Sequence, residues 1–259
     1  MSAIITITNQ KGGVGKTTTS SALMDGLRSK GARVLGVDLD PQGSLGFCLG
    51  LDIENCATVY DVLKGTKNIR EVIVESDCGD ILPSNILLSA AELEFNRPGR
   101  EFLLKNCLAE VEEDYDYIII DTPPALNVLT VNAYVAADGL IIPMAPEILS
   151  LLGISQIRET IDTVRRCYNP RLRVLGIVLN KFNLRLILNR EVLDMAEQIA
   201  KQLDTTVFQS RIHAGVAVAE APAHGESVLS YAPGSKAARD FRLLVNEVVR
   251  LYSPTLSNS

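Results

Sequence analysis

The run Asn9-Gln10-Lys11-Gly12-Gly13-Val14-Gly15-Lys16-Thr17-Thr18 decides how this chain folds. It stands between an apolar β-run, Ala3–Thr8, and a segment of good helix formers that includes Ala22, Leu23, Met24 and Leu27. Glycines let consecutive backbone amides turn inward on phosphate oxygens, and the N-terminus of the following helix adds the positive end of its dipole. Lys16 can then reach terminal phosphates, and the Thr17 hydroxyl can face Mg2+. A Gly-rich turn with a solvated lysine would share the glycines, but it needs neither the strand before nor the helix after. The coincidence selects a nucleotide-binding loop, with Gly12, Gly13, Val14, Gly15, Lys16, Thr17 and Thr18 as its binding residues.

Outward from that loop, short runs rich in Ile and Val alternate with longer stretches of helical period, the pattern of parallel strands joined by crossover helices. The expected strands are Ala3–Thr8, Arg33–Val37, Asp80–Leu82, Tyr117–Asp121, Gly139–Pro143, Val174–Leu179 and Thr206–Phe208. Tyr117-Ile118-Ile119-Ile120 has no polar alternation, so it belongs in mid-sheet with both faces covered. Phe241, Leu244, Val245, Val248 and Val249 recur at helical spacing within an expected last helix, Ser235–Tyr252. The fold class is therefore α/β, a mostly parallel twisted sheet with helices on both faces in the P-loop NTPase arrangement. One domain over residues 1–252 is expected, with a frayed tail at 253–259.

The 259 residues carry a net charge of -6, unevenly spread. Residues 1–150 hold 11 Lys and Arg against 21 Asp and Glu, whereas residues 151–259 hold 14 against 10. Whole-chain acidity repels nucleic acid, but a basic C-terminal half can still supply a local anion-binding face. No stretch approaches the length of a membrane span, and the N-terminus lacks the pattern of a signal peptide, so the expected location is the cytoplasm. Five widely spaced cysteines without a C-x-x-C pair read as ordinary thiols. His213 and His224 have no accompanying ligand cluster, so no metal beyond magnesium is expected.

Two further segments carry acids to the phosphate end of the sheet. Asp38 and Asp40, at i and i+2 in Val37-Asp38-Leu39-Asp40-Pro41, leave the strand on one side, so both can face phosphates. Asp121 ends the apolar run Ile118-Ile119-Ile120, where an uncompensated carboxylate would be costly to desolvate; a water-bound Mg2+ at the carboxyl edge of the sheet would compensate it.

An ordinary P-loop wants glycine where Gln10 stands, and this loop carries an additional lysine, Lys11. Lys11-Gly12-Gly13-Val14-Gly15-Lys16-Thr17-Thr18 resembles the deviant Walker A loop of the ParA/Soj partitioning ATPases within the ParA/MinD superfamily. The likeness extends along nearly the whole chain, through Gln42-Gly43-Ser44, Asp121-Thr122-Pro123-Pro124, Leu149-Ser150-Leu151-Leu152-Gly153 and Glu220-Ala221-Pro222-Ala223-His224-Gly225. It implies ATP hydrolysis by water with ATP and Mg2+ as cofactors. Lys11 would act on the nucleotide of a dimer partner, Lys16 on its own, and Asp40 would orient the attacking water. Thr17, Asp38 and Asp121 would serve the magnesium shell, Asn180 would contact adenine, and the loop at Pro222 would close over the base. Asn180-Lys181 is similar to a guanine-reading N-K-x-D motif, but Asn183 stands where that motif needs aspartate, so ATP is expected over GTP.

The resemblance also implies a homodimer formed on ATP binding, a ParB-like or other adaptor that stimulates hydrolysis, and non-specific DNA as the track. Two arginines of the family's DNA-binding face are replaced here by Ala214 and Ala217, so that binding is expected to be weak. Arg185 matches another arginine of that face, and Arg211, Lys236 and Arg239, with Arg190 and Arg242, could rebuild a basic surface. The alternative is a MinD-like switch on a membrane or protein scaffold, but Ser253–Ser259 offers no basic amphipathic anchor. Nitrogenase-reductase chemistry would need cluster-spaced thiolates, which the five cysteines do not provide.

Overall fold

The computed structural model describes residues 2–53, 56–146, 150–182 and 188–252, with the side chains of 150–154 and 188–190 outside the description. Seven strands form one sheet in the order β3-β2-β4-β1-β5-β6-β7, and every paired neighbour is parallel. They are β1 (Ala3–Ile7), β2 (Val34–Asp38), β3 (Asp80–Leu82), β4 (Tyr117–Asp121), β5 (Gly139–Met144), β6 (Arg173–Phe182) and β7 (Val207–His213). As the run Ile118-Ile119-Ile120 demands, β4 lies between β2 and β1, with its isoleucines fully buried.

Strand alternation divides the core into two layers. Ile5, Ile7, Ile119, Ile141 and Val178 face a layer made by α1 (Lys16–Arg28), α2 (Ser44–Cys48), and three later helices, α10 (Val216–Glu220), α11 (Val228–Tyr231) and α12 (Lys236–Tyr252). Ile4, Val37, Ile118, Ile120, Leu140 and Ile177 face the opposite layer. That side holds α3 (Val59–Lys64), α4 (Ile69–Val72), α5 (Ala91–Glu94), α6 (Leu103–Leu108), α7 (Val128–Ala136), α8 (Ser150–Cys167) and α9 (Leu188–Gln202). Gly36 in β2 is required by closeness rather than by its dihedrals: a Cβ there would lie 2.5 Å from the Met24 side chain of α1. In α12, Phe241, Leu244, Val245 and Val248 are buried against the sheet and α1. Each contributes about 1.5–3 kcal/mol by leaving water.

Two strands run further than their apolar stretches suggest. β6 continues through Asn180 to Phe182 because β7 pairs with it as far as Phe182 opposite His213. β7 is an edge strand, and its buried residues Phe208, Ser210 and Ile212 alternate with Gln209, Arg211 and His213, so polar side chains interrupt the pattern. α12 covers part of that edge. Its Glu247 accepts the amides of Gln209 (2.9 Å) and Ser210 (2.8 Å), and Asp240 accepts the amide of His213 at 3.0 Å. An edge covered in this way cannot recruit a further strand there.

The sheet order reverses about β1, so the loop that follows it opens at the carboxyl edge with β4 on one side and β5 on the other. Such a switch point is where open α/β sheets bind ligands.

Candidate nucleotide site

The loop after β1 is held in shape before any ligand arrives. Asn9 donates its side-chain amide to the Pro143 carbonyl at 2.7 Å and accepts the amide of Lys11 at 3.0 Å, pinning the loop mouth to β5. Gly13 and Gly15 have φ of 72° and 88°, the left-handed region that only glycine enters cheaply. At Gly15 there is a second constraint, since a Cβ would lie 2.6 Å from Asn180 Nδ2. α1 then starts at Lys16 with no acidic residue in its first turn, which leaves its N-terminus open to an anion.

Lys16 is buried, and its Nζ donates to the Lys11 carbonyl at 3.2 Å. Burial lowers its pKa, while the charges of Asp121 and Asp40 oppose that shift. Beneath the loop, Asp121 is fully buried and accepts from Thr17 Oγ1 at 2.7 Å and Ser20 Oγ at 3.0 Å. Ser20 carries no signal in the sequence: it sits one turn after Lys16, and nothing in its spacing shows that β4 ends beside it.

The two strand-end acids divide their work. Asp40 lines the cavity and accepts the amide of Gln42 at 3.0 Å. Asp38, expected beside it, is fully buried and turns its oxygens to backbone instead, accepting from Asp40 N at 3.0 Å, Leu45 N at 2.8 Å and Gly46 N at 3.4 Å. The free amides at the start of α2 draw the carboxylate away from the phosphate side. Asp38 therefore shapes the loop that carries Asp40 and does not itself line the cavity.

Asp38 and Asp121 are register partners across β2 and β4. Burial, and then the charge of the other carboxylate, pushes Asp38 well above the ordinary carboxylate range. Burial pushes Asp121 up to about 6 against the help of Thr17 and Ser20. Two buried carboxylates beneath a hydroxyl that lines the cavity fit a divalent cation, which would supply the missing positive charge.

The cavity holds about 510 Å3 and runs from Gly12, Gly13, Gly15, Lys16, Thr17 and Thr18 past Asp40, Ser44 and Pro124 to a second end. That end is formed by Asn180, Lys181, His213 and the largely apolar wall Ile212, Ala214, Gly215, Val218, Ala219 and Phe241. Asn180 donates to the Val14 carbonyl (2.8 Å) and to Thr19 Oγ1 (3.2 Å), so its amide ties β6 to the phosphate loop while its Oδ1 is buried without a donor. Val14 lies behind the loop, buried.

Pro222, expected over the base, does not line the cavity. It sits in the short 3-10 turn Ala221–His224, a turn beyond the residues that do. The chain leaves β7 through the wall itself, so Ala214, Gly215, Val218 and Ala219, which precede the family segment Glu220–Gly225, close that end.

Among the basic residues expected on a DNA face, Lys236 and Arg239 are exposed one turn apart on α12, with Arg242 a further turn on. Arg211 is half-buried, with its guanidinium 5.1 Å from the centre of the Phe182 ring. Arg185 and the Arg190 side chain lie outside the described residues, as do the tail 253–259 and the segment 147–149.

Comparison with known proteins agrees with this geometry. The family model described as an AAA domain matches residues 2–174. The sporulation initiation inhibitor protein Soj of Bacillus subtilis is 40% identical over 96% of this chain and 98% of its own. The chromosome partitioning protein ParA of Myxococcus xanthus is 37% identical over 97% and 89% respectively. A Mycobacterium smegmatis structure, described as cobyrinic acid a,c-diamide synthase with bound ADP and magnesium, superposes with a TM-score of 0.85 at 36% identity. It covers 96% of this chain and 95% of its own. With an identity of 40% to Soj across almost the full length of both chains, a deviant Walker A loop and an all-parallel P-loop sheet, this chain belongs to the ParA/Soj family.

Proposed function

We propose that this protein hydrolyses ATP as the timing step of a dimerisation switch that positions or segregates a plasmid, chromosome or other cargo in the cytoplasm. ATP with Mg2+ is the nucleotide. The observation that carries the reading is the phosphate loop: Lys16 Nζ rests on the Lys11 carbonyl, and the next residue, Thr17, donates its hydroxyl to the buried Asp121. The loop amides from Gly12 to Thr18 hold phosphate oxygens, and Lys16 leaves the Lys11 carbonyl for the terminal phosphates. Thr17, Asp121 and Asp38 would serve the shell of a magnesium ion, which would neutralise phosphate charge. Asp40 orients the attacking water, whose oxygen bonds to the terminal phosphorus as the bond to the ADP oxygen breaks. Lys11 reaches the nucleotide of the partner subunit, so hydrolysis waits on dimerisation.

The synthase name borne by the M. smegmatis relative would require a large acid substrate beside the phosphates. Here the remaining wall, with Ile212, Val218 and Phe241, suits the flat face of a base. Weak, sequence-independent DNA binding by Lys236, Arg239 and neighbouring arginines supplies the track, and a ParB-like adaptor supplies the signal for release.

Co-sedimentation of the Asp40→Ala protein with plasmid DNA and with anionic vesicles, with and without ATP, tests the reading. The variant should retain ATP, run as a dimer on size exclusion and pellet with DNA only in ATP. A monomer in ATP refutes the switch; pelleting with vesicles alone replaces DNA by a membrane surface.

A further inference from the structure

Ser20 lies one turn along α1 from the residues that line the cavity, and its hydroxyl goes to the acid beneath them. Helical spacing puts Lys16, Thr17 and Ser20 on adjoining parts of one face, and α1 packs along β4 there. Ser20 is fully buried, with its Oγ 3.0 Å from Asp121 Oδ1 and 3.1 Å from the Lys16 carbonyl. A hydroxyl carries one proton, so it donates to one of these acceptors at a time. The carbonyl has its partner already in the helical bond from the Ser20 amide, whereas a bond to a carboxylate is charge-assisted and about twice as strong as a neutral one. The proton therefore goes to Asp121. Helix propensity favours alanine at a buried position, as at Ala22, and so does not account for the serine.

The other oxygen of the carboxylate, Oδ2, accepts the Thr17 hydroxyl at 2.7 Å. The terminal torsion of an aspartate is broad and two-fold, and a donor on each oxygen removes that freedom. Among the described residues, Ser20 is the one side chain that donates to Oδ1. Without it the carboxylate is fixed at one oxygen only. Ser20 does not line the cavity, whereas Thr17 does, so any effect of Ser20 on a ligand must pass through Asp121.

We propose that Ser20 is a positioning residue for magnesium: by holding Asp121 at Oδ1 it sets Oδ2 and the Thr17 hydroxyl for the shell of the ion that accompanies the phosphates. The inference rests on the nucleotide reading of the cavity. Partners that orient a metal-binding side chain are worth about 10–100-fold in metal affinity.

The test is titration of the full chain with a fluorescent ADP analogue, in chelator and at stepped concentrations of free Mg2+, which reads binding without turnover. Magnesium should tighten binding to the wild type. Ser20→Ala should bind the analogue in chelator as the wild type does, yet need about tenfold more Mg2+ to reach the tightened state. Ser20→Thr, which keeps the hydroxyl, should restore the wild-type demand for Mg2+. In Asp121→Asn, adding Ser20→Ala should change that demand by less than about twofold, because the two residues act as one unit; this comparison decides should Ser20→Thr fail to fold. A merely structural role in α1 would weaken binding equally with and without Mg2+. That result, an unchanged Mg2+ demand in Ser20→Ala, or full additivity with Asp121→Asn overturns the inference alone. Absence of analogue binding to the wild type, or binding that Mg2+ leaves unaltered, overturns the nucleotide reading and the inference with it.

Discussion

Lys16 and Asp121 are charged groups that the fold buries at the phosphate end of the cavity, and burial moves each toward its neutral form. Lys16 is buried with a backbone carbonyl as its donor's target. Lys16→Ala should therefore leave the fold intact and reduce ATP affinity by two orders of magnitude or more, roughly the several kcal/mol of a phosphate-directed charge. Titration with a fluorescent ATP analogue measures this, and unchanged affinity would count against the phosphate loop. Asp121 supplies a pH argument. Its carboxyl titrates near 3.8 when unfolded and at about 6 when folded, chiefly through burial. Between those values the folded chain holds a proton that the unfolded chain has released, so this residue's contribution to stability falls as pH rises through that window and levels off above it. Asp121→Asn removes the dependence. In chelator and without nucleotide, the variant's advantage in Tm over the wild type should widen between about pH 4.5 and pH 7; a gap that stays constant or narrows contradicts the assigned environment.

At the scale of elements, the P-loop helix is joined to α11 through one buried acid. Asp25 near the end of α1 accepts the hydroxyls of Ser227 and Ser230, and Ser227 Oγ also caps α11 by accepting the amides of Leu229 and Ser230. Ser227→Ala should cost about 2 kcal/mol, from a missing cap and an under-satisfied buried carboxylate. Thermal unfolding should show this as a Tm lower by about 4–8 °C in a chain of this size, and an unchanged Tm would show that α11 is not anchored there. What the sequence makes legible, and what it hides, has a physical basis. β4 stands out because a mid-sheet strand has apolar residues on both faces, and the phosphate loop because glycine, lysine and helix start are adjacent in sequence. β7 does not: an edge strand alternates, and Ser210 is buried only because Glu247 of α12 accepts its amide. Asp38 leaves its strand beside Asp40, as the i, i+2 spacing requires, yet the amides opening α2, seven residues on, take its oxygens. Pairings closed by tertiary packing, such as Ser20 with Asp121 and His213 with Asp240, leave no local periodicity to find.

For the molecule as a whole, charge is segregated along the chain, and the fold gathers part of the basic half onto one helix. The first 150 residues carry the acidic surplus, while the remainder holds 14 Lys and Arg against 10 Asp and Glu. α12 presents Lys236, Arg239 and Arg242 to solvent, while Ala238 and Phe241 are buried. Its first turns adjoin the cavity wall through Asp240, so a nucleotide-dependent change at that wall has a short mechanical route to these charges. Binding to duplex DNA by such a stripe gains mainly from counterion release, and each phosphate left without its cation lowers the slope of log K against log salt by about 0.9. Reversing two charges in the double variant Lys236→Glu, Arg239→Glu should weaken retention of the ATP-loaded protein on plasmid DNA at least tenfold at low salt and flatten its salt dependence. Because neither side chain lines the nucleotide cavity, basal ATP turnover should stay within about twofold of the wild type. Arg185→Glu provides the parallel comparison for the arginine that the family resemblance places on the same face. If the double variant keeps both its DNA retention and its salt slope while Arg185→Glu loses them, the track lies on the Arg185 side. If both variants are retained like the wild type, the basic half has no part in DNA binding and the cargo must be carried on a different surface.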